Sequence, residues 1–298
     1  MYTFRVIRLQ KAKYSFIILI LLIKLFSRIA IESNTKRNDL QLAFKNLVSV
    51  LSELNPNSIR NLRIILLVAE KNLEEGIKYI ASQRGQLGQD IFVLAVMNFQ
   101  HEGYFVEFGA TNGVDLSNTF ILEKSLSWSG ILAEPARCWH DELRRNRSVN
   151  IEFDCVWSES GLKMTFNETS APEYSTIQLF SDADGHEVTR RTGIHYDVDS
   201  ISLNDLLMKH NAPSVIEYLS IDTEGSEFEI LGSLNYESRR FKVITCEHNG
   251  TDKRDSIYNL LSTKGYVRLL NSFSKFDDWY VDPRLVDNQR IKFLVEAE

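Results

Sequence analysis

Cysteine is scarce in this chain of 298 residues: Cys138, Cys155 and Cys246 form an odd set with no CxxC spacing. That excludes a zinc ribbon and a disulfide framework, and leaves the cysteines as small apolar residues of a core, with one disulfide open to them in an oxidising compartment. Five prolines and 14 glycines, with no low-complexity tract, exclude a collagen-like or extensively disordered chain. Neither GxGxxG nor GxxxxGK[ST] occurs, so the loops that cradle dinucleotides and nucleoside triphosphates are missing. Basic charge is sparse outside the first 31 residues. Those residues carry Arg5, Arg8, Lys11, Lys13, Lys24 and Arg28 and no acid, leaving 28 basic against 40 acidic residues in the remainder, a net −12. An acidic body of this kind disfavours a nucleic-acid backbone as partner.

Long apolar runs are also rare. Residues 14–23, YSFIILILLI, lie between Lys13 and Lys24. Ten helical residues rise about 15 Å, half of the roughly 30 Å hydrocarbon core. Extended to residue 31 the segment is long enough, but Lys24 then lies near mid-membrane at a cost of roughly 2.5–3.5 kcal/mol unless it snorkels. A basic stretch followed by an apolar one has the layout of a signal sequence. The expectation is a single-span signal-anchor or signal-like segment over 1–31 that associates the protein with a membrane, the alternative being secretion after cleavage.

Residues 32–83 read as a helical lead-in. Leu40, Phe44, Leu47, Val48 and Leu51 recur at three- and four-residue steps, Asn55-Pro-Asn breaks the run, and helices follow over 59–72 and 74–82. From 84 to 298 the pattern alternates. Strands are expected at 104–108, 129–133, 151–156, 217–221 and 242–247, with helices at 117–126, 137–146, 202–209, 226–231 and 256–264. A strand pair over 265–270 and 275–281 closes the chain. Strands separated by helices imply an α/β, Rossmann-like fold: a mostly parallel sheet, here ending in a C-terminal antiparallel hairpin. The polar, irregular stretch 181–199 reads as a substrate-covering lid or, equally, a disordered insertion.

Candidate functional residues collect at strand ends. Glu107-Phe-Gly-Ala-Thr-Asn-Gly113 follows the first strand and precedes a helix. Gly109 and Gly113 allow a sharp turn and close approach of a ligand, with Ala110 and Asn112 between them. Glu107 is placed to pair with a cationic amino group, such as that of S-adenosylmethionine. Glu134 ends the second strand, 21 residues after Gly113, where a carboxylate can accept both hydrogen bonds of a ribose diol. Asp154 and Cys155 end the third strand, where an adenine edge would lie. Asp222 and Glu224 follow the fourth strand, and Glu247, His248 and Asn249 the fifth. Transfer to a hydroxyl needs a base, for which His248 or Glu247 are the candidates, with Asp222 orienting. A second possibility is a divalent cation, magnesium by its preference for oxygen, on Asp222, Glu247 and Asn249. A third is that these residues only cap helices and hold loops. His101, His140, His186, His195 and His210 lack paired spacing and read as surface or core residues.

At these residues the sequence resembles the FkbM-type methyltransferase family. The likeness runs from Ser82-Gln-Arg-Gly-Gln-Leu-Gly-Gln-Asp90 through Gly103–Ala110, Leu116-Ser-Asn-Thr119, Trp128–Pro135, Asn146-Arg147, Glu217–Glu227 and Ile244–Asn249 to Asp277-Asp-Trp-Tyr-Val281. It implies a class I methyltransferase fold, S-adenosylmethionine as cofactor, and O-methylation of a sugar or related small-molecule hydroxyl. It also implies that Glu107, Gly109 and Gly113 hold the amino-acid part of the cofactor, Glu134 the ribose, and that Asp222 lies near the methyl group. Asn112 departs from the family, which often has an acidic residue there. The basic and apolar N-terminus resembles membrane-tethered animal members, and with them an alternative arises: a non-catalytic binding or trafficking protein on the same fold.

Overall fold

A computed structural model of the chain describes residues 56–297. The signal-like segment 1–31 and the helix expected over residues 40–51 lie outside the described residues. Among the described residues no helix is long and apolar enough to cross a membrane.

Eleven strands and eleven α-helices are described. Three helices lead in: α1 (Pro56–Val68), α2 (Leu73–Tyr79) and α3 (Gln89–Val96). The alternating part begins with β1 (Tyr104–Phe108), α4 (Phe120–Leu126), β2 (Ser129–Ala133), α5 (His140–Asn146) and β3 (Asn150–Glu152). An insertion follows, with β4 (Cys155–Trp157), β5 (Lys163–Glu168), β6 (Thr176–Ile177), α6 (Glu187–Arg190) and β7 (Ile194–Ser202). The alternation resumes with α7 (Leu203–Lys209), β8 (Val215–Ile221), α8 (Glu227–Ser233), β9 (Arg240–Glu247), α9 (Lys253–Thr263), β10 (Val267–Leu269), α10 (Asn271–Ser274), β11 (Asp277–Val281) and α11 (Gln289–Ala297).

Seven strands form the main sheet in the order β10-β11-β9-β8-β1-β2-β3. β1 pairs in parallel with β2 on one side and β8 on the other, so the strand order reverses at β1. This is the switch point at which open α/β sheets leave a crevice at their carboxyl ends. Helices cover both faces. Residues of β1 alternate: Phe105 packs in the core beneath α1, α3 and α4, whereas Val106 and Phe108 pack in the core beneath α7, α8 and α9. A strand buried on both faces therefore carries apolar side chains on both, with the buried Glu107 as the exception. On β11, Trp279 stacks on Phe92 of α3 at 4.7 Å between centroids, while Tyr280 enters the opposite core.

The expected mostly parallel α/β fold is present, with four local corrections. The stretch 151–156 is two strands in two sheets, because the chain bends at Phe153-Asp154 and Cys155–Trp157 pairs with β7 instead. The expected antiparallel pair of β10 and β11 is present, but β11 lies between β9 and β10, so within this sheet β11 alone is antiparallel and the edge strand β10 runs parallel to the rest. The polar segment 181–199 is ordered: α6 and most of β7 lie in it, and β7 joins a second sheet of order β4-β7-β5-β6. Finally, α3 left no helical signature in the sequence, because all eight of its residues are buried and a helix buried all round has no amphipathic period. Cys155 and Cys246 are buried as expected, while Cys138 is exposed.

Candidate active site at the switch point

β1 ends in a turn that depends on close packing. Gly109 has φ +72°, and a Cβ there would overlap the carbonyl oxygen of Asp222. The post-β1 and post-β8 loops are therefore in backbone contact. Thr111, a β-branched residue, is held at φ +48°, a conformation that needs external support. Glu134 supplies it: one carboxylate oxygen accepts the Thr111 N–H at 2.8 Å, and the other accepts the Ala136 N–H at 2.8 Å. Asn112 closes the loop on itself, its Oδ1 accepting the N–H groups of Val114 and Asp115.

Glu107 is fully engaged by the protein. Its carboxylate accepts from the Asn118 N–H at 2.6 Å, the Thr119 hydroxyl at 2.5 Å and the Ser117 hydroxyl at 3.0 Å. Its charge faces Arg147 at 3.8 Å. The expected pairing of Glu107 with a ligand amino group is thus corrected: its counter-charge is Arg147, and it orders residues 117–119. That service also explains why α4 starts at Phe120 rather than at Ser117. Burial pushes the Glu107 carboxyl up, and Arg147 opposes the shift.

These loops border a cavity of about 360 Å³, within the range of small-molecule sites. Of the expected cofactor residues, Glu107, Gly109, Glu134, Cys155 and Asp222 line it. Ala110, Asn112, Gly113 and Asp154 do not. Gly113 lies beneath Arg147, where a Cβ would come within 2.6 Å of the arginine Cγ, and Asp154 occupies the bend between the two sheets.

Asp222, Glu224 and Glu247 meet on the cavity wall, with carboxylate oxygens within 4.8 Å of one another. They are close enough to share a proton or a cation. Burial and the two neighbouring carboxylates push Glu247 up, whereas a hydrogen bond with Glu247 opposes the rise at Asp222. Glu224 is pushed up as well, to about 9, by burial and by Asp222, so the three carboxyls do not carry three charges at neutral pH. Asn249 also lines the cavity, but its Nδ2 donates to Glu224 at 3.2 Å and to Glu247 at 2.9 Å. It enters the cluster as a donor, not as the metal-ligating oxygen expected. His248 is not brought to the cavity. Successive residues leaving a strand point to opposite sides, and with Glu247 and Asn249 facing in, His248 faces out. Its Nδ1 accepts the Gly250 N–H at 2.9 Å and its Nε2 lies 3.8 Å from Asp278.

The opposite wall was not foreseen. It comes from the insertion: Phe166, Ile177, Tyr174 and His186, the last two stacked at 4.0 Å. Arg190, buried to 1% exposure, fastens this wall. It donates to the Tyr174 carbonyl at 2.8 Å, to Asp184 at 2.7 Å and to Glu224 at 2.7 Å, joining the insertion to the post-β8 loop. No local spacing signals this, since Arg190 and Glu224 are 34 residues apart. Asn118 is another missed wall residue; its Nδ2 donates to Ser220 at 2.9 Å and its Oδ1 has no partner.

Buried carboxyls give the protein a pH dependence. Burial pushes Glu134 up to about 7 and Asp90, at the start of α3, up to about 6. Their folded values exceed the unfolded ones, so the stability they contribute is complete below about pH 4 and is lost as pH rises through 6–7. Between pH 5.5 and 8 the two together cost about 2–3 kcal/mol. Thermal melting of the ligand-free protein is expected about 5–10 °C higher at pH 5.5 than at pH 8; a flat profile would show both groups ionised without penalty.

The Methyltransferase FkbM domain matches residues 107–279, more than half of the chain. The chain is similar in structure to the methyltransferase FkbM from Methylobacillus flagellatus KT, with 12% identity, a TM-score of 0.43, and coverage of 75% of this chain and 59% of that one. It thus spans less than two thirds of that relative's length. A precorrin-6y C5,15-methyltransferase from Geobacter metallireducens GS-15 aligns at 10% identity and TM-score 0.36, covering 64% of this chain and 85% of its own. No curated protein matches the sequence. On the domain match, which runs from the end of β1 into β11 and takes in both walls of the cavity, the chain belongs to the FkbM methyltransferase domain family.

Proposed function

We propose that the protein is an S-adenosylmethionine-dependent O-methyltransferase, with the cofactor in the switch-point cavity and a carbohydrate or related small-molecule hydroxyl as acceptor. The observation that carries this reading is Glu134: a buried carboxylate at the end of β2, lining the cavity and tied to the Gly109 loop through Thr111. The residues fit the cofactor. The Gly109 turn has no room for a side chain, which leaves its backbone open to close approach, and the Glu134 carboxylate borders the cavity beside it.

Bound S-adenosylmethionine would supply an electrophilic methyl group. The protein's part is to hold an acceptor hydroxyl in line with it and to take the hydroxyl proton. Asp222 is the proposed proton acceptor, and Glu247 keeps it ionised by donating to it. Tyr174, Phe166 and Ile177 close the acceptor side against water. The basic and apolar segment 1–31 is proposed to tether the enzyme to a membrane, supported by its charge of +6 and the run 14–23.

Calorimetric titration of the full chain with S-adenosylmethionine tests the proposal. Absence of binding by the folded protein would favour the non-catalytic alternative. Glu134→Gln keeps the size but not the paired acceptors, and is expected to weaken binding about 10- to 100-fold. Unchanged affinity would place the ribose elsewhere.

A further inference from the structure

Exposed apolar surface is unevenly placed. Among the described residues, the three most exposed large apolar side chains are Leu179 at 70%, Val188 at 69% and Ile194 at 68%, and all three belong to the insertion. Single apolar residues scattered over a surface are ordinary, but these three leave from one knot. Arg190 donates to the Phe180 carbonyl at 3.3 Å. The Asn167 amide donates to the Arg190 carbonyl at 3.0 Å and to the Ser181 hydroxyl at 2.9 Å, and the next residue, Glu168, pairs with Ile194 across β5 and β7. The same segment gives Ile177 and His186 to the cavity wall, so the patch lies beside the mouth of the cavity.

The direction of α1 says what else lies on that side. α1 and α3 run side by side in the same sense. At one end Asn61 packs against Gly88, which precedes α3; at the other the Asn288 amide donates to the carbonyls of Val68 and Val96 at 3.1 and 3.0 Å. The start of α3 is at the carboxyl edge of the sheet, where Gln89 donates to Asp277 at 3.0 Å and Asp277 pairs with Glu247, the last residue of β9. Pro56, where the described residues begin, is therefore at the edge on which the cavity opens, between Gln86 and Leu116 on one side and His186 on the other. The basic and apolar segment 1–31, followed by 24 residues, leads into that edge.

We propose that Leu179, Val188 and Ile194 seat the insertion in the surface of a lipid bilayer, so that the cavity opens at the membrane interface. The inference rests on the proposed tether and not on the cofactor. Side chains of this kind enter the boundary between headgroups and acyl chains, with an affinity that scales with the apolar area buried. A tether alone leaves the domain free to turn on its linker. It also makes the second contact intramolecular, so a patch too small to hold a free protein on a membrane suffices to orient a tethered one. Glu173 and Asp182, both exposed in the same segment, favour a zwitterionic over an anionic surface.

The full chain in phosphatidylcholine vesicles with brominated acyl chains tests this, because bromine quenches tryptophan only at close range. Val188→Trp reports the patch. Glu237→Trp, exposed between α8 and β9 at the amino edge of the sheet, reports the far side. With the emission of the unaltered chain subtracted, Val188→Trp is expected to lose at least about half of its added emission, and Glu237→Trp less than about a tenth. Adding Leu179→Ser and Ile194→Ser is expected to reduce the quenching of Val188→Trp at least about two-fold. If Val188→Trp does not fold, Leu179→Trp gives the same reading. No quenching at the patch in a chain that floats with the vesicles, or equal quenching at both positions, would overturn the inference and leave the tether standing. Failure of the unaltered chain to float with vesicles would remove both. A dimer that Leu179→Ser and Ile194→Ser dissolve would also overturn it, by giving the patch to a second copy of the chain.

Discussion

Arg147→Met is expected to destabilise the protein by about 3–5 kcal/mol, the range seen when one partner of a buried ion pair is removed. The side chain is wholly buried and its guanidinium is divided among several tasks. Nε donates to Glu123, Nη1 to the Gly113 carbonyl at 3.0 Å and to the Ser117 hydroxyl at 3.1 Å, and Nη2 to the Thr119 hydroxyl at 2.9 Å. Its charge also faces Glu107. Methionine fills much of the volume but leaves two carboxylates in a site from which water is excluded. Urea denaturation is the measurement, with an unchanged m value expected. Addition of Glu107→Gln to the variant removes one orphaned charge and is expected to restore about 1–2 kcal/mol. A loss below about 1 kcal/mol for Arg147→Met, or no recovery in the double variant, would mean that the carboxylates find other partners. Arg147→Lys is not a conservative control here, because an ammonium cannot reproduce the planar fork.

Gly109→Ala is expected to abolish binding of the proposed cofactor and to destabilise the fold by more than about 3 kcal/mol. Two causes add. At φ +72° an L-residue carries a penalty of about 1–2 kcal/mol. The added methyl would also overlap a backbone carbonyl, that of Asp222, which cannot swing aside as a flexible side chain would. The loops after β1 and β8 would have to part, and with them Glu134's hold on Thr111 and the position of Asp222. Gly161→Ala separates the two causes, since Gly161 has φ +82° but nothing within 4 Å of a new Cβ. It is expected to cost about 1–2 kcal/mol and to leave S-adenosylmethionine affinity untouched. Equal effects of the two variants would show that conformational strain alone, not the loop contact, makes Gly109 necessary.

Sequence reading succeeded where a property is local. The alternation of apolar strand runs and helices sets the α/β sheet, because strand and helix periods are imposed by adjacent residues. The strand-end positions of Glu107, Gly109, Glu134 and Asp222 follow from the same alternation, since parallel strands joined by helices all end on one side. Their convergence on one crevice needed no knowledge of distant contacts.

What each residue does there was decided only by tertiary packing. Glu107 serves Arg147 and the 117–119 loop rather than a ligand, because an arginine 40 positions later is brought against it. His248 faces Asp278 while Glu247 faces the cavity, a choice made by which side of β9 borders the crevice. Tyr174 and His186 become the second wall through Arg190, a buried cation whose partners span Tyr174 to Glu224. Such contacts pair groups dozens of residues apart, and burial alters the charge state of the carboxylates involved. Neither effect leaves a trace in the spacing of the residues, so chain order could locate the crevice but not assign the work within it.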